Sequence, residues 1–181
     1  MAARAALLQG FAPIADRHAV LLILGSMPGA ASLAAGQYYA HPRNAFWPLL
    51  DAVWNIPAEQ NYAARIRAVR AAGIAIWDVL AHCRRSSSLD ADIEHGSVVV
   101  NDFAGFFRRH PGIRLIGFNG STAQTLYRRH VLPTLSPSLQ QIPARRLPST
   151  SPAHAALSLQ RKAQHWQALR RELSALAGAE S

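Results

Sequence analysis

The feature that most constrains this chain is the way its apolar runs break off into turn chemistry. Ala19-Val20-Leu21-Leu22-Ile23-Leu24 is uninterrupted and apolar, and it stops at Gly25-Ser26-Met27-Pro28-Gly29. A run of that length, bounded by glycine and proline, reads as a short buried strand delivering a loop. The two glycines permit positive φ and close approach of backbone to a ligand, and Pro28 stiffens the turn between them. Similar runs recur at Ile74 to Leu80 and at Ile113 to Phe118, and a fourth short strand is expected near Ala144-Arg145-Arg146-Leu147.

Helical stretches separate these runs. They span Ala45 to Trp54, Tyr62 to Ala72 with Gly73 as the stop, Asp102 to His110 before Pro111-Gly112, Ser121 to Arg129, and about Ala155 to Leu176. Strands alternating with helices imply a three-layer α/β/α sandwich around a short, mostly parallel four-stranded sheet. Such sheets place ligands at the carboxyl ends of their strands. Met1 to Gly10 reads as a terminal arm or helix, Arg84 to Ile93 as an irregular polar surface loop, and Val131 to Pro143 as a Pro-rich connection.

With 181 residues, half of them hydrophobic, residues 1–181 are expected to form one domain. No apolar run approaches the roughly 20 residues of a membrane span. The apolar part of the first ten residues is too short for a signal peptide, so a cytoplasmic protein is expected, with no membrane partner.

A formal charge of +9 and a pI near 11.2 favour a polyanionic partner, nucleic acid first. The charge is almost all arginine, with Lys162 the sole lysine, and the arginines come in pairs at 84–85, 108–109, 128–129, 145–146 and 170–171. These pairs make one face only if folding gathers them; otherwise they are solvated helix ends. Cys83 is the single cysteine, which excludes internal disulfides and multi-thiolate clusters and reads as a small buried hydrophobe. The histidines show no tight ligand spacing, so neither metal nor cofactor is expected.

Candidate site residues follow the first loop. Tyr38, Tyr39, His41 and Asn44 supply flat rings and hydrogen-bonding edges suited to a planar polar ligand such as a nucleobase. The same residues also fit a plain turn, a helix N-cap at Asn44 and core aromatics. The loop lacks the Gly-Lys-Ser/Thr ending of a Walker phosphate loop. The other strand exits carry Asp78, Phe118-Asn119-Gly120, and Leu147-Pro148-Ser149-Thr150-Ser151-Pro152-Ala153-His154, so all four exits meet on one rim if the sheet is parallel. Thr150 or Ser151 could cap the last helix with Pro152 in its first turn, and such an N-terminus binds phosphate through its amides.

Taken together, Gly25-Ser26-Met27-Pro28-Gly29 and Tyr38-Tyr39-Ala40-His41-Pro42-Arg43-Asn44-Ala45-Phe46-Trp47 resemble the first motif of the uracil-DNA glycosylase superfamily. Mismatch-specific members carry Gly-x-Asn-Pro-Gly followed by an aromatic-Ala-His-Pro-x-Asn-x-Phe-Trp segment. Here Met27 fills the position of the catalytic loop Asn, and a thioether cannot polarise water as an amide does. The Ser-Met-Pro loop with Asn44 retained resembles the hypoxanthine-DNA glycosylase branch. Phe118-Asn119-Gly120 is similar to the Phe-Asn-Gly turn of mismatch-specific relatives, and Leu147 to His154 to the superfamily's second motif. Some branches hold a four-cysteine iron-sulfur cluster, which a chain with Cys83 alone cannot build.

The resemblance implies a monofunctional DNA glycosylase that hydrolyses the N-glycosidic bond of deaminated bases, chiefly hypoxanthine, in base excision repair as a monomer. It implies Asn44 and Ser26 as catalytic groups. Met27, Gly29, Tyr39, His41 and Asn119 are implied at the substrate, and Ser149, Thr150, Ser151 and His154 on DNA. Asp78 is a second candidate for general base, and an ordinary turn residue otherwise. A broader uracil or xanthine glycosylase is a close variant. A noncatalytic binder of damaged DNA and, more distantly, a free-nucleoside hydrolase are the readings from other classes.

Overall fold

The computed structural model describes residues 5–179. In chain order the elements are β1 (Leu7–Gln9), β2 (Leu21–Gly25), α1 (Ala30–Ala35), α2 (Phe46–Trp54), α3 (Tyr62–Ala71), β3 (Ile74–Asp78) and β4 (Leu80–Arg84). They continue with β5 (Val99–Val100), α4 (Phe103–Arg109), β6 (Leu115–Asn119), α5 (Ser121–Leu126), α6 (Pro137–Gln140), β7 (Ala144–Leu147) and α7 (Leu159–Gly178). The four expected strands become a parallel sheet of order β3-β2-β6-β7, as their alternation with helices requires.

Both faces of the sheet are buried over β2, β3 and β6, which is why those strands read as largely apolar runs, whereas β7 at the edge carries the exposed Arg145 and Arg146. Successive residues point to opposite faces. Leu22, Leu24, Ala75, Trp77, Ile116 and Phe118 enter one core with Phe103, Phe106 and Leu126 of α4 and α5. Leu21, Ile23, Ile74, Ile76 and Leu115 enter the other with Phe46, Leu49, Leu50, Val69 and Trp166 of α2, α3 and α7. Gly117 lets α7 lie directly on β6: a Cβ there would meet Ile23 Cδ1 at 2.9 Å and Leu169 Cδ2 at 3.0 Å.

Three expectations are corrected. The run from Ile74 to Leu80 is two strands, because Val79 and Leu80 donate their amides to the carbonyls of Gly25 and Ser26 and turn the chain out of the parallel sheet. It enters a small antiparallel sheet of order β1-β4-β5 that the sequence pattern did not announce. The amino-terminal segment is a strand at Leu7–Gln9, not a helix, its first four residues lying outside the described ones. The last helix is capped by Ser158, whose Oγ accepts from Arg161 N–H, so neither Thr150 nor Ser151 caps it and Pro152 lies in the preceding loop. Among the described residues no helix is long and apolar enough to cross a membrane.

Candidate active site

The parallel sheet brings Gly25, Asp78, Asn119 and Leu147 to one edge. Gly25 pairs with Asp78, and Asn119 with Leu147. Gly25 and Gly29 do not adopt positive φ, contrary to the expectation for the loop. What Gly25 supplies is space: a Cβ on it would lie 2.3 Å from Asp78 Oδ1 and 3.0 Å from Tyr39 Oη. A carboxyl and a phenol therefore fill the hollow above one glycine.

Tyr39 reaches this hollow from a left-handed backbone, at φ 55°, and its ring stacks on Phe46 with centroids 3.8 Å apart. Phe46 is fully buried in the core. Asp78 is only 3% exposed, and burial, then the charge of Asp90, raise its pKa to about 7 while Arg85 opposes the rise. Burial and the Asp78 charge push the Tyr39 phenol up, and the adjacent Asn119 amide moderates this. Asp78 Oδ2 and Tyr39 Oη are buried without a well-formed hydrogen bond among the described residues. Buried polar atoms in that state mark positions where a polar ligand group completes the network.

Thr150 joins this hollow to the loop after β7. Its amide donates to Asn119 Oδ1 at 2.9 Å, its Oγ1 accepts from Asn119 Nδ2 at 2.8 Å, and its carbonyl accepts from Ala45 N–H at 3.0 Å. Asn44, next to Ala45, accepts from Phe46 N–H through Oδ1 at 2.9 Å. This bond orients the amide so that Nδ2, a donor, is the end turned away from the helix. His41 Nδ1 accepts from Arg43 N–H at 3.1 Å, which puts the imidazole proton on Nε2.

A family model, the uracil DNA glycosylase superfamily, matches residues 12–173. The chain belongs to that superfamily. Similar curated proteins are the hypoxanthine DNA glycosylases of Methanosarcina barkeri and Methanosarcina acetivorans. The first is 36% identical over 62% of this chain and 70% of the relative, the second 35% over 64% and 72%. The solution NMR structure of a candidate uracil DNA glycosylase from Methanosarcina acetivorans superposes with a TM-score of 0.76 at 31% identity, covering 93% of this chain and 99% of that one.

Within this superfamily member, the residues singled out from the sequence are dispersed more than their motifs suggest. Met27 is 6% exposed and its side chain belongs to a hydrophobic core, not to an open pocket. Ser26 is buried, its Oγ donating to Asp90 Oδ1 at 2.6 Å. Gly29 precedes α1, and a Cβ on it would meet no atom within 4 Å, so its face of the loop is open. Thr150 is 1% exposed with its amide, hydroxyl and carbonyl all engaged, which removes it from direct DNA contact. Ser149 and Ser151 accept local turn bonds from the amides of Ser151 and Ala153, and His154 is exposed.

The segment after β4 is what sequence reasoning missed. It is the surface loop expected, exposed from Ser86 to Leu89, but it also closes over the first motif. Arg85, with a side chain 1% exposed, donates through Nη2 to Pro28 O at 2.6 Å and lies 3.8 Å from Asp90. Asp90 accepts from Ser26, and Ser88 Oγ accepts from Ala30 N–H at 3.1 Å. The polar run from Arg84 to Ser88 disguised this packing, and only the Arg85–Asp90 spacing hinted at a pair. Arg85→Met, which keeps bulk and removes the buried charge, is expected to leave the fold within about 2 kcal/mol of wild type. It should slow turnover about 10- to 100-fold by freeing the loop. Thermal melts beside single-turnover rates check this, and an unchanged rate would show that the clamp is idle.

The Arg pairs do not form one face. Arg84 donates to Ala5 O, Arg85 turns inward, Arg145 pairs with Glu172 at 2.7 Å, and Arg170 donates to Val53 O. Cys83 is buried, and burial raises its thiol pKa, in keeping with a core residue.

Proposed function

We propose that the protein is a monofunctional DNA glycosylase that hydrolyses the N-glycosidic bond of deaminated bases, chiefly hypoxanthine, acting as a single-domain cytoplasmic monomer in base excision repair. The observation that carries this reading is the polar hollow of Asp78, Tyr39 and Asn119 at the strand ends of a superfamily member whose curated relatives are named hypoxanthine DNA glycosylases.

The chemistry divides between an acceptor and donors. Bond cleavage passes through an oxocarbenium-like sugar, which a nearby carboxylate stabilises, and needs water held at C1′ and charge drawn into the departing base. Asp78, with its pKa raised to about 7, is the acceptor suited to holding that water. Asn44 offers Nδ2 and His41 offers Nε2, donors for purine N7 and O6 as negative charge builds there. Ser26, bound to Asp90, orients the loop and acts through it. Extrusion of the base costs a few kcal/mol, least for a pair already weakened by deamination.

The deciding experiment is single-turnover base release from duplexes containing deoxyinosine or deoxyuridine, read as alkali-labile strand scission. Wild type is expected to release hypoxanthine, and Asn44→Ala to do so about 100- to 1000-fold more slowly with DNA affinity retained. Preferred release of uracil overturns the substrate assignment. Release of neither base at high enzyme excess leaves a noncatalytic binder of damaged DNA.

A further inference from the structure

Two non-glycine residues among the described ones have a left-handed backbone, Tyr39 and Asn55, each at φ 55°. Asn55 closes α2 as its C-cap, where asparagine takes that conformation readily. Tyr39 is a bulky aromatic, for which the same φ is unfavourable and persists only where the surroundings impose it. What imposes it reaches beyond the loop to α3, an element with no part in the proposed chemistry.

The conformation of Tyr39 is set by the peptide planes on either side of its Cα. On one side the Tyr38 carbonyl accepts from Trp47 Nε1 at 3.1 Å. On the other the Ala40 N–H donates to Ser32 Oγ at 3.1 Å. The plane before these is held as well, since the Tyr38 N–H donates to Tyr62 Oη at 2.9 Å. The Tyr38 side chain is buried, its Oη donating to Ala12 O at 3.1 Å and its ring packing edge-on against Phe11. Tyr38 is thus pinned at its amide, its carbonyl and its side chain, and Tyr39 has no slack on that side in which to relax.

Tyr62 is in turn a fixed point. It opens α3 behind the N-cap Asn61, whose Oδ1 accepts from Ala64 N–H at 2.9 Å. Its ring meets Trp47 edge-on with centroids 6.0 Å apart. The Arg65 guanidinium lies 4.4 Å from the Trp47 centroid and 5.6 Å from that of Tyr62. A cation over aromatic faces attracts both. Arg65 therefore braces the two rings that grip the Tyr38 backbone, one at the N–H and the other at the carbonyl.

We propose that Tyr62, braced by Arg65, is a positioning residue for base release: by accepting the Tyr38 amide it keeps Tyr39 left-handed, with its ring on Phe46 and its phenol beside Asp78. The consequence for base release rests on the glycosylase reading; the hold on Tyr39 rests on the geometry alone. Loss of the Tyr62 hydroxyl leaves the amide of a buried residue without a partner. Turning the Tyr38 peptide finds it another, and the same turn lets Tyr39 leave its strained conformation and carries the phenol away from Asp78.

The test compares Tyr62→Phe, Arg65→Met and Tyr39→Phe, singly and with Tyr62→Phe and Tyr39→Phe combined. Tyr62→Phe keeps the ring, its contact with Trp47 and its place beside Arg65, and removes only the acceptor. Single-turnover release of hypoxanthine at saturating enzyme is expected to slow about 10- to 100-fold, with affinity for a plain duplex within about twofold of wild type. The Tyr39 amide-to-Hα coupling, which follows φ and is read by NMR on tyrosine-labelled protein, should leave its left-handed value. The double variant should be no more than about threefold slower than the slower single one, because both act through one phenol. Arg65→Met should move rate and coupling the same way by a smaller factor, about three- to tenfold in rate, and it decides the matter where Tyr62→Phe melts far below wild type. Tyr127→Phe removes a buried hydroxyl from the opposite core and should change neither readout.

An unchanged Tyr39 coupling in Tyr62→Phe overturns the proposal. So does a wild-type rate alongside a changed coupling, or a double variant whose loss is the product of the two single losses. Absence of base release by wild type counts against the glycosylase reading instead, and the coupling, which needs no substrate, then decides whether Tyr62 holds Tyr39.

Discussion

Asp78→Asn is expected to make the protein more stable at pH 8 and slower at base release. The carboxyl of Asp78 is raised from an ordinary 3.8 to about 7 by burial. A group raised in the folded state favours the proton there, so its contribution is fully present below the unfolded value and is lost as pH rises through about 7. At about 1.4 kcal/mol per pH unit, that gap costs the ionised protein about 4 kcal/mol. The amide carries no charge and escapes most of this cost. Urea melts should therefore show the variant about 2 to 4 kcal/mol more stable at pH 8 and indistinguishable near pH 4, where the wild-type carboxyl is protonated in the folded state and half protonated in the unfolded one. Base release by wild type should fall as pH drops below 7, and the variant should be about 100- to 10,000-fold slower with no such fall. Parallel melts at the two pH values would show that the carboxyl is not buried as described.

Gly25→Ala is expected to be nearly as damaging as loss of Asp78. Its methyl would sit 2.3 Å from Asp78 Oδ1 and 3.0 Å from Tyr39 Oη, and neither group is the free end of a long flexible side chain. Forcing them aside costs about 1 to 3 kcal/mol. Displacing the hollow by about 1 Å should lower turnover on the order of 100-fold. Gly29→Ala, four residues on, meets nothing within 4 Å from a φ of −71° and should retain wild-type melts and rates. A tolerant position 25 would mean that the two side chains do not share that space.

The sheet was legible because its strands are short and punctuated and three of them are largely apolar, and the positions of Ala144–Leu147 and Tyr62–Ala71 emerged with almost no error. Asn44, Tyr39 and Asp78 were legible as candidates because each follows a strand or loop signal. Their geometry was not, since Gly25 is demanded by a contact with Asp78, 53 positions away in the chain but adjacent in the sheet. The antiparallel sheet escaped notice for a related reason. Leu7–Gln9 and Val99–Val100 are too short to carry a period, and their pairing with β4 is tertiary. Met27 was misleading in the opposite direction: a residue aligned with a catalytic position had been absorbed into the core.

Thr150 has one further consequence. Its amide, hydroxyl and carbonyl are committed to Asn119 and to Ala45. The loop that follows β7 is therefore fastened at a single residue both to the strand end beside Tyr39 and to the peptide next to Asn44. Displacement of that loop would have to break bonds to Asn119 and to Ala45 together. The same fastening makes the loop after β7 and the turn before α2 one mechanical piece, so a change at either end bears on both.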